Sequence, residues 1–547
     1  MKGWNADMRL KNVFQKDMKQ QFTEKGYQVP TYDREKIVRA TVEEPTWLHF
    51  GTGNIFRAFP SAILDSLLNQ GLYDKGVVAV EGFDYEIIEK AYKPFDNLSL
   101  LVVLNADGGL DKRVIGSVVK SLTANEKDED FSYLVEAFRK PSVQMVSFTI
   151  TEKGYSLMGP DGSLSGVVKA DFDQILSGKE IIIPMHLMGK IAWLLWQRYQ
   201  AGAAPVAMVS MDNCSHNGDK LKEAVVSYVR KWVEAGVCGQ DFLDYVNNPE
   251  KVSFPLSMID KITPRPDKKV VAMLEQDGFE DAELIITDKN TYTAAFVNAE
   301  ATQYLVIEDL FPNGRPPLEK GGIYFTDRET VDRVEKMKVC TCLNPLHTAL
   351  AIFGCLLGYH TIWEEMKDDG LCAFVTKMGY GEGMPVVVNP QIIDPEQFIG
   401  EVLQKRLVNP FMPDTPQRIA TDTSQKLSIR FGETLKAYGR QGVEGLQYIP
   451  VVLAGYLRYL LGYSDDMDAF ELSPDPLLGE LTEFMKKYAG AGKTATAEEL
   501  RPILGRTDIF GVDLYEYGLA EKITAYFNEM NQGKGCVRKV LNNLRNQ

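Results

Sequence analysis

Leu48-His49-Phe50-Gly51-Thr52-Gly53-Asn54-Ile55-Phe56-Arg57 sets two glycines directly after a strand-like run and before a helical one. That pattern suits a dinucleotide. The first glycine permits a tight turn, and the second lets the backbone approach a pyrophosphate seated on a helix N-terminus. Phe56 replaces the third glycine of the usual fingerprint, so the same residues also describe a ligand-free strand-to-helix turn. A following strand ends at Glu81-Gly82-Phe83-Asp84. There, Glu81 or Asp84 could accept hydrogen bonds from adenosine ribose hydroxyls and repel a 2′-phosphate, favouring NAD over NADP. The sequence does not choose between the two acids.

Cys340-Thr341-Cys342 with His347 following has the residue types of zinc ligands. No second CxxC or HxxxH set accompanies them, and no metal is expected. By itself His347, among Leu and Ala, has the pattern of a hydrogen-bonded core histidine, and Lys338 that of a solvated helix face. His49, His186, His216 and His360 read as structural. Lys426 and Arg430 stand at i, i+4, with Arg418 two such steps before Lys426. On a continuous helix all three project from neighbouring parts, which suits a carboxylate and equally suits solvent.

The elements that must position these residues fall into two kinds. From Glu44 to about Thr151, strand-like runs (Thr46–Phe50, Gly76–Val80, Val102–Leu104, Val114–Val119, Val143–Ile150) alternate with helical stretches such as the one through Ile63, Leu64, Leu67 and Leu68. This alternation predicts βαβ units around a mostly parallel sheet. Helices are expected at Ile181–Gln200 and Lys220–Gly236, with a strand at Pro205–Ser210 between them. Pro264–Asp327 reads as a connecting or sheet-extending region with strands near Ala282–Thr287 and Tyr304–Ile307. Beyond Asp327 helices dominate: Val331–Gly358, Pro395–Val408, Ile419–Tyr438, Ile449–Tyr463, Pro474–Tyr488 and Leu514–Gln532. The expected organisation is an N-terminal extension (1–43), an α/β domain with its connecting region (44–327) and a mostly helical domain (328–547).

Composition narrows the function classes. The 547 residues are 45% hydrophobic and 25% charged, the balance of an ordinary globular protein. Lys plus Arg number 60 against 75 for Asp plus Glu, a net charge of −15. Such a surface repels phosphate backbones and anionic lipid, so neither nucleic acid nor membrane is an expected partner. The same field repels a small anionic substrate, whose site needs locally clustered cations. Met1–Gln20 lacks the apolar core of a secretory signal, and the longest apolar stretches are too short or too polar to span a bilayer. Seven cysteines without framework spacing fit reduced thiols and a cytoplasmic location.

Several segments, taken in order, resemble the polyol-specific long-chain dehydrogenases, the mannitol dehydrogenase family. Gly51–Arg57 is similar to that family's GxGxFxR turn, with Ile55 where the pattern has Phe. Arg113-Val114-Ile115-Gly116-Ser117, Thr149-Ile150-Thr151-Glu152-Lys153-Gly154-Tyr155, and Asp212-Asn213 with Asn217-Gly218 also match. The VDRIxP signature appears as Ile259-Asp260-Lys261-Ile262-Thr263-Pro264 with two conservative departures. Val306-Ile307-Glu308-Asp309, Asp414-Thr415, Arg418-Ile419 and Ser424-Gln425-Lys426 complete the set, over roughly Thr46 to Gly439.

The resemblance implies an α/β fold with a Rossmann-type N-terminal domain followed by a mostly α-helical C-terminal domain. It also implies hydride transfer between NAD and a ketose or ketose acid, without a catalytic metal. The pattern at Glu81-Gly82-Phe83-Asp84 and Cys342-Leu343-Asn344-Pro345-Leu346-His347, with the extended N-terminus, is most similar to the branch interconverting D-fructuronate and D-mannonate. A mannitol 2-dehydrogenase on fructose and mannitol and a tagaturonate reductase are the nearest alternatives, and a non-catalytic nucleotide- or sugar-binding protein is the alternative of another class.

Carried over residue by residue, the family's roles fall on Lys338 as general acid/base with its pKa lowered, Asn213 and Asn344 as oxyanion donors, and His347 on a substrate hydroxyl. Glu335 matches an acid that relays the proton. The turn Gly51, Thr52, Gly53, Asn54, Ile55, Phe56 and Arg57 would take the cofactor with Glu81 and Asp84, and Asp260, Arg418 and Lys426 the substrate. Arg57, Lys338, Arg418 and Lys426 are the cations expected to offset the negative field. One departure stands out. The family separates its Lys and Asn by four residues, whereas five (Val339 to Leu343) lie between Lys338 and Asn344. One insertion turns a regular helix by about 100°. A π-bulge before Pro345, or a non-helical turn with Asn344 as N-cap, is therefore predicted.

Overall fold

The computed structural model describes residues 8–178 and 181–545. Its contacts divide the chain into two compact units, the first running through Val331 and the second from Asp332 onward, with Ala106–Gly108 grouped with the second.

The first unit is built on a six-stranded sheet of β1 (Trp47–Phe50), β2 (Val77–Glu81), β3 (Val118–Thr123), β4 (Met145–Phe148), β5 (Val206–Ser210) and β6 (Val252–Ser253). Every pairing is parallel, in the spatial order β3-β2-β1-β4-β5-β6. The order reverses at β1, which places the crevice at its carboxyl end at the switch point of a doubly wound sheet. β1, β2, β4 and β5 are buried at every position, which explains their continuous apolar sequence. Leu48, Val78, Val80, Val146 and Phe148 pack on one face, and Trp47, Ala79, Met145 and Val209 on the other.

His49 is the polar exception on β1. Thr149 Oγ1 donates to Gly51 O (3.0 Å) and stands 2.9 Å from His49 Nε2, so it accepts from that nitrogen. Ser147 Oγ, which accepts from Trp47 Nε1 (2.7 Å), then donates to Nδ1 at 2.6 Å. The ring stacks on Phe56 at 3.9 Å. Burial pushes its pKa down to about 3, so the folded chain keeps it neutral while the unfolded chain protonates it near 6.5. The stability advantage over His49→Gln is therefore expected to shrink as pH falls from 6.5 to 4.5, by about 1.4 kcal/mol per pH unit. Denaturant unfolding at several pH values reads that gap, and a gap constant over the range contradicts the assignment.

A second, mixed sheet orders Tyr27–Gln28, Leu110–Ile115, Ser99–Leu104 and Phe296–Glu300. The N-terminal segment thus supplies an edge strand, and Phe22, Tyr27 and Phe279 form a ring cluster that fixes it to this unit. The single run expected at Val114–Val119 is divided between the two sheets. Gly116 N is diverted to Asp65 Oδ1 (2.9 Å) and Ser117 Oγ to Ser61 O (2.7 Å). The helix expected from Ile181 begins only at Leu187, because Asp171 holds Met185 N and His186 N outside it. Within Pro264–Asp327, Tyr304–Glu308 pairs antiparallel with Ser257–Asp260, Leu284–Ile286 forms a hairpin with Tyr292–Ala294, and an unanticipated helix, Lys268–Asp277, starts on the Asp267 cap.

The second unit is helical. Its central run, Arg328–Leu357, is long and apolar enough to cross a membrane by composition, but 78% of its most apolar window is buried inside the protein. Phe353, Phe374 and Tyr448 meet edge to face at 5.3 and 5.4 Å in the core around it. The single helix expected at Ile419–Tyr438 is broken into Pro416–Ile419, Thr423–Leu427, a π-turn Ser428–Gly432 and Glu433–Gly442. Asp422, left-handed at φ 54°, makes the break, and Asp475 caps the restart by accepting from Ser424 N (2.7 Å) and Ser424 Oγ (2.5 Å).

Candidate functional site

The glycine turn leaves the carboxyl end of β1. Gly51 has φ +98°, and a Cβ there would overlap the Thr149 carbonyl, so only glycine fits. Thr52 N (3.0 Å) and Oγ1 (2.6 Å) both donate to Glu81 Oε2, and Tyr92 Oη donates to Thr52 O at 2.9 Å. Gly53 is the N-cap of the helix Asn54–Ala58, with no side chain capping it, and a Cβ on it would meet nothing within 4 Å. An uncapped helix start beside open space is the cradle a pyrophosphate needs, and these residues fit a dinucleotide.

Two of the residues expected at the cofactor are engaged by hydrogen bonds within the chain. Arg57 is 1% exposed, and its guanidinium donates to Ala294 O (2.7 Å), Thr293 Oγ1 (2.8 Å) and Asn54 Oδ1 (2.9 Å). It clamps the hairpin onto the turn. Glu81 is likewise occupied by the chain, since Oε1 accepts from Phe83 N (2.9 Å) and Asp84 N (3.2 Å) while Oε2 serves Thr52. A carboxylate offers about four lone-pair sites, and all are used. Asp84 is buried, with Oδ2 accepting from Thr287 Oγ1 and Thr291 Oγ1 at 2.5 Å each. Phe83 between them stays 69% exposed, with the Lys289 ammonium 4.0 Å over its ring, a surface on which a base can stack. Ile55 is partly buried and Phe56 fully so.

Asn213 lies exposed in the bend after β5. Its neighbour Asp212 accepts from Ile150 N (2.9 Å), Thr151 N (2.8 Å) and Tyr155 Oη (2.5 Å), tying the ends of β4 and β5 together. Burial raises the Asp212 pKa. Asn217 bridges Asp212 O and Ser257 in the same way. Asp260, 5% exposed, ends the strand Ser257–Asp260.

In the second unit the extra residue is taken up as a π-turn. Lys338–Cys342 is π-helical, closed by Leu343 N donating to Lys338 O at 3.0 Å. Leu343 (φ −127°, ψ −63°), not Asn344, is the N-cap of Asn344–Leu357, with Pro345 in its first turn. A single insertion widened into a π-turn leaves the flanking helices in their original registers. Lys338 is 4% exposed, Asn344 partly so. Glu335 lies partly buried on the preceding helix. Burial pushes the thiols of Cys340 and Cys342 up to about 11 and 12, so both stay protonated. Among the described residues no group of three or more His, Cys, Asp or Glu is arranged for a metal ion.

His347 gathers the remaining groups. Its Nε2 is buried 3.4 Å from Asp414 Oδ2 yet makes no hydrogen bond. Burial, then the charges of Arg430, Arg406, Arg418 and Lys426, lower its pKa to about 3, so the imidazole is neutral. Arg418 is exposed and pairs with Asp414. Lys426 donates to the carbonyls of Thr421 and, at 3.4 Å, Ile419, and burial lowers its pKa. The three cations expected on one helix instead converge from separate pieces of a broken one. Arg406, 3% exposed on the π-turn Val402–Arg406, and Asp414 as the carboxylate beside His347 were not anticipated. Arg406 carries no local signal, and Asp414, though it stands in a segment similar to the family's, is 67 residues from the His347 it faces. Lys338, Arg406 and Arg430 all sit on π-turns, a deformation that concentrates at functional sites.

Comparison with known proteins places most of the chain. A model of the mannitol dehydrogenase Rossmann domain matches residues 45–320, and one of the mannitol dehydrogenase C-terminal domain matches residues 330–531. A D-mannonate oxidoreductase of Thermotoga maritima is 48% identical over 94% of this chain and 95% of its own length. Among solved structures, a substrate-free D-sorbitol dehydrogenase superposes with a TM-score of 0.77 at 25% identity, covering 94% of this chain and 97% of that one. A ternary complex of Pseudomonas fluorescens mannitol 2-dehydrogenase with NAD and D-mannitol gives 0.66 at 25% identity, covering 97% and 99%.

Proposed function

The chain belongs to the mannitol dehydrogenase family, and from that premise we propose that it is an NAD-dependent oxidoreductase interconverting D-fructuronate and D-mannonate. The observation that carries the choice of a sugar acid is Arg430, without a carboxylate partner among the described residues and held by Thr348 on the helical turn that carries Asn344 and His347, in a chain of net charge −15. A neutral polyol would not require an uncompensated guanidinium there. The 48% identity to a D-mannonate oxidoreductase supports the same choice.

Bound NAD supplies the nicotinamide that gives or takes the hydride. The backbone from Gly51 to Asn54 would hold its pyrophosphate, with Glu81 and Arg57 fixing that backbone instead of touching the ligand, and Phe83 stacking the adenine. Lys338 is proposed to deliver a proton to the developing alkoxide in reduction and to remove it in oxidation. Asn344 and Asn213 are proposed as oxyanion donors, His347 Nε2 as the contact to a substrate hydroxyl, and Asp260, Arg418 and Lys426 as further substrate contacts. All seven cysteines are free thiols, which agrees with a cytoplasmic enzyme.

Oxidation of NADH is to be followed with D-fructuronate, D-tagaturonate and D-fructose in parallel. The expected order places kcat/KM for D-fructuronate first. Equal or greater turnover of fructose would overturn the assignment, and absence of turnover with all three would leave a binding protein.

A further inference from the structure

Resting on that reading, we propose that Arg430, positioned by Thr348, is the residue that reads the substrate's carboxylate and so separates sugar acids from neutral sugars. Arg430 lies on the π-turn Ser428–Gly432 with its guanidinium largely withdrawn from solvent. Its one hydrogen bond runs from Nη1 to Thr348 Oγ1 at 2.5 Å. Among the described residues no carboxylate stands within ion-pairing distance of it, unlike Arg418, whose charge is met by Asp414. A guanidinium has five N–H donors, and withdrawing it from water without a counter-ion is costly. Burial accordingly lowers its pKa to about 10, with no acid acting against the shift.

Such a group is stable in the fold when an anion completes it. Thr348 fixes where that anion must be. Its hydroxyl accepts from Arg430 and donates to Asn344 O at 2.8 Å, which ties the guanidinium to the helical turn that carries Asn344 and His347. The free edge of a guanidinium matches a carboxylate with two parallel N–H···O bonds, a geometry that an ammonium cannot supply. Lys426 is poorly suited to the same task, because its ammonium already donates to the carbonyls of Thr421 and Ile419.

The test compares kcat/KM for D-fructuronate and D-fructose with NADH in the unaltered chain, Arg430→Met and Arg430→Lys. In Arg430→Met the fructuronate-to-fructose ratio is expected to fall on the order of 100-fold, mainly through KM for fructuronate. Arg430→Lys keeps the charge and loses the fork, and its ratio is expected to fall between the two. It also serves should Arg430→Met fail to fold. An unchanged ratio in a folded variant of either kind overturns the role of Arg430 alone. Absence of fructuronate turnover by the unaltered chain overturns the substrate reading and the proposal together.

Discussion

Lys338→Met is expected to lower kcat by about 10²–10⁴-fold while leaving the dissociation constant for NADH within a few-fold of its original value. The two effects separate because the nucleotide turn and Lys338 belong to different compact units of the chain. Met preserves the apolar stem of the lysine and removes only the ammonium, so packing about a side chain that is 4% exposed is retained. A buried lysine can serve structure as well as chemistry, and Lys338→Ala distinguishes the roles. Added primary amines should restore part of its turnover if the missing group is a proton carrier. A variant with the expected loss of kcat but no rescue, and with a lowered unfolding midpoint, would mark Lys338 as a structural residue. Single-turnover rates measure the chemical step, and NADH fluorescence titration measures binding.

The sequence made the scaffold of this chemistry readable wherever the physical cause is local. Continuous apolar runs bounded by turns disclosed β1, β2, β4 and β5, since strands buried on both faces have no polar side to alternate with. The extra residue between Lys338 and Asn344 announced an irregularity there, a π-turn or a non-helical turn, and the π-turn is the form it takes. Hidden from the sequence were the partners that lie far along the chain. Arg57 follows a glycine turn and so suggests a phosphate ligand, but its carbonyl acceptor, Ala294, is 237 residues away. Glu81 ends a strand and suggests a ribose ligand, whereas Thr52, 29 residues earlier, takes its carboxylate.

The broken helix at Asp422 shows the same limit in backbone terms. No Gly or Pro lies between Ile419 and Phe431 to announce a stop at Asp422. Asp is among the few residues that tolerate the left-handed conformation, and the capping carboxylate of Asp475 comes from elsewhere in the unit. That break determines the site. On one straight helix Arg418, Lys426 and Arg430 would form a stripe, whereas the break and the π-turn let their fields converge on His347. The negative field of the whole chain is thus offset near His347 by cations recruited from several short elements.

Gly51→Ala is expected to cost about 2–5 kcal/mol of stability to the first unit and to abolish measurable NADH binding. The backbone is left-handed there, and the new methyl would overlap the Thr149 carbonyl. Displacing Thr149 also disturbs its hydroxyl, which donates to Gly51 O at 3.0 Å and accepts from His49 at 2.9 Å, so the strain spreads through β1. Gly53→Ala supplies the contrast. Gly53 has φ −75°, and its new methyl would enter open space, so stability should stay within about 0.5 kcal/mol. That open space is where a pyrophosphate must approach the backbone, and NADH affinity should nevertheless fall at least about tenfold, the equivalent of one well-made charged hydrogen bond. Thermal unfolding and NADH titration of both variants decide the point. Loss of affinity without loss of stability in Gly53→Ala identifies the turn as a nucleotide cradle, whereas parallel changes in both properties would reduce it to a strand-to-helix connection.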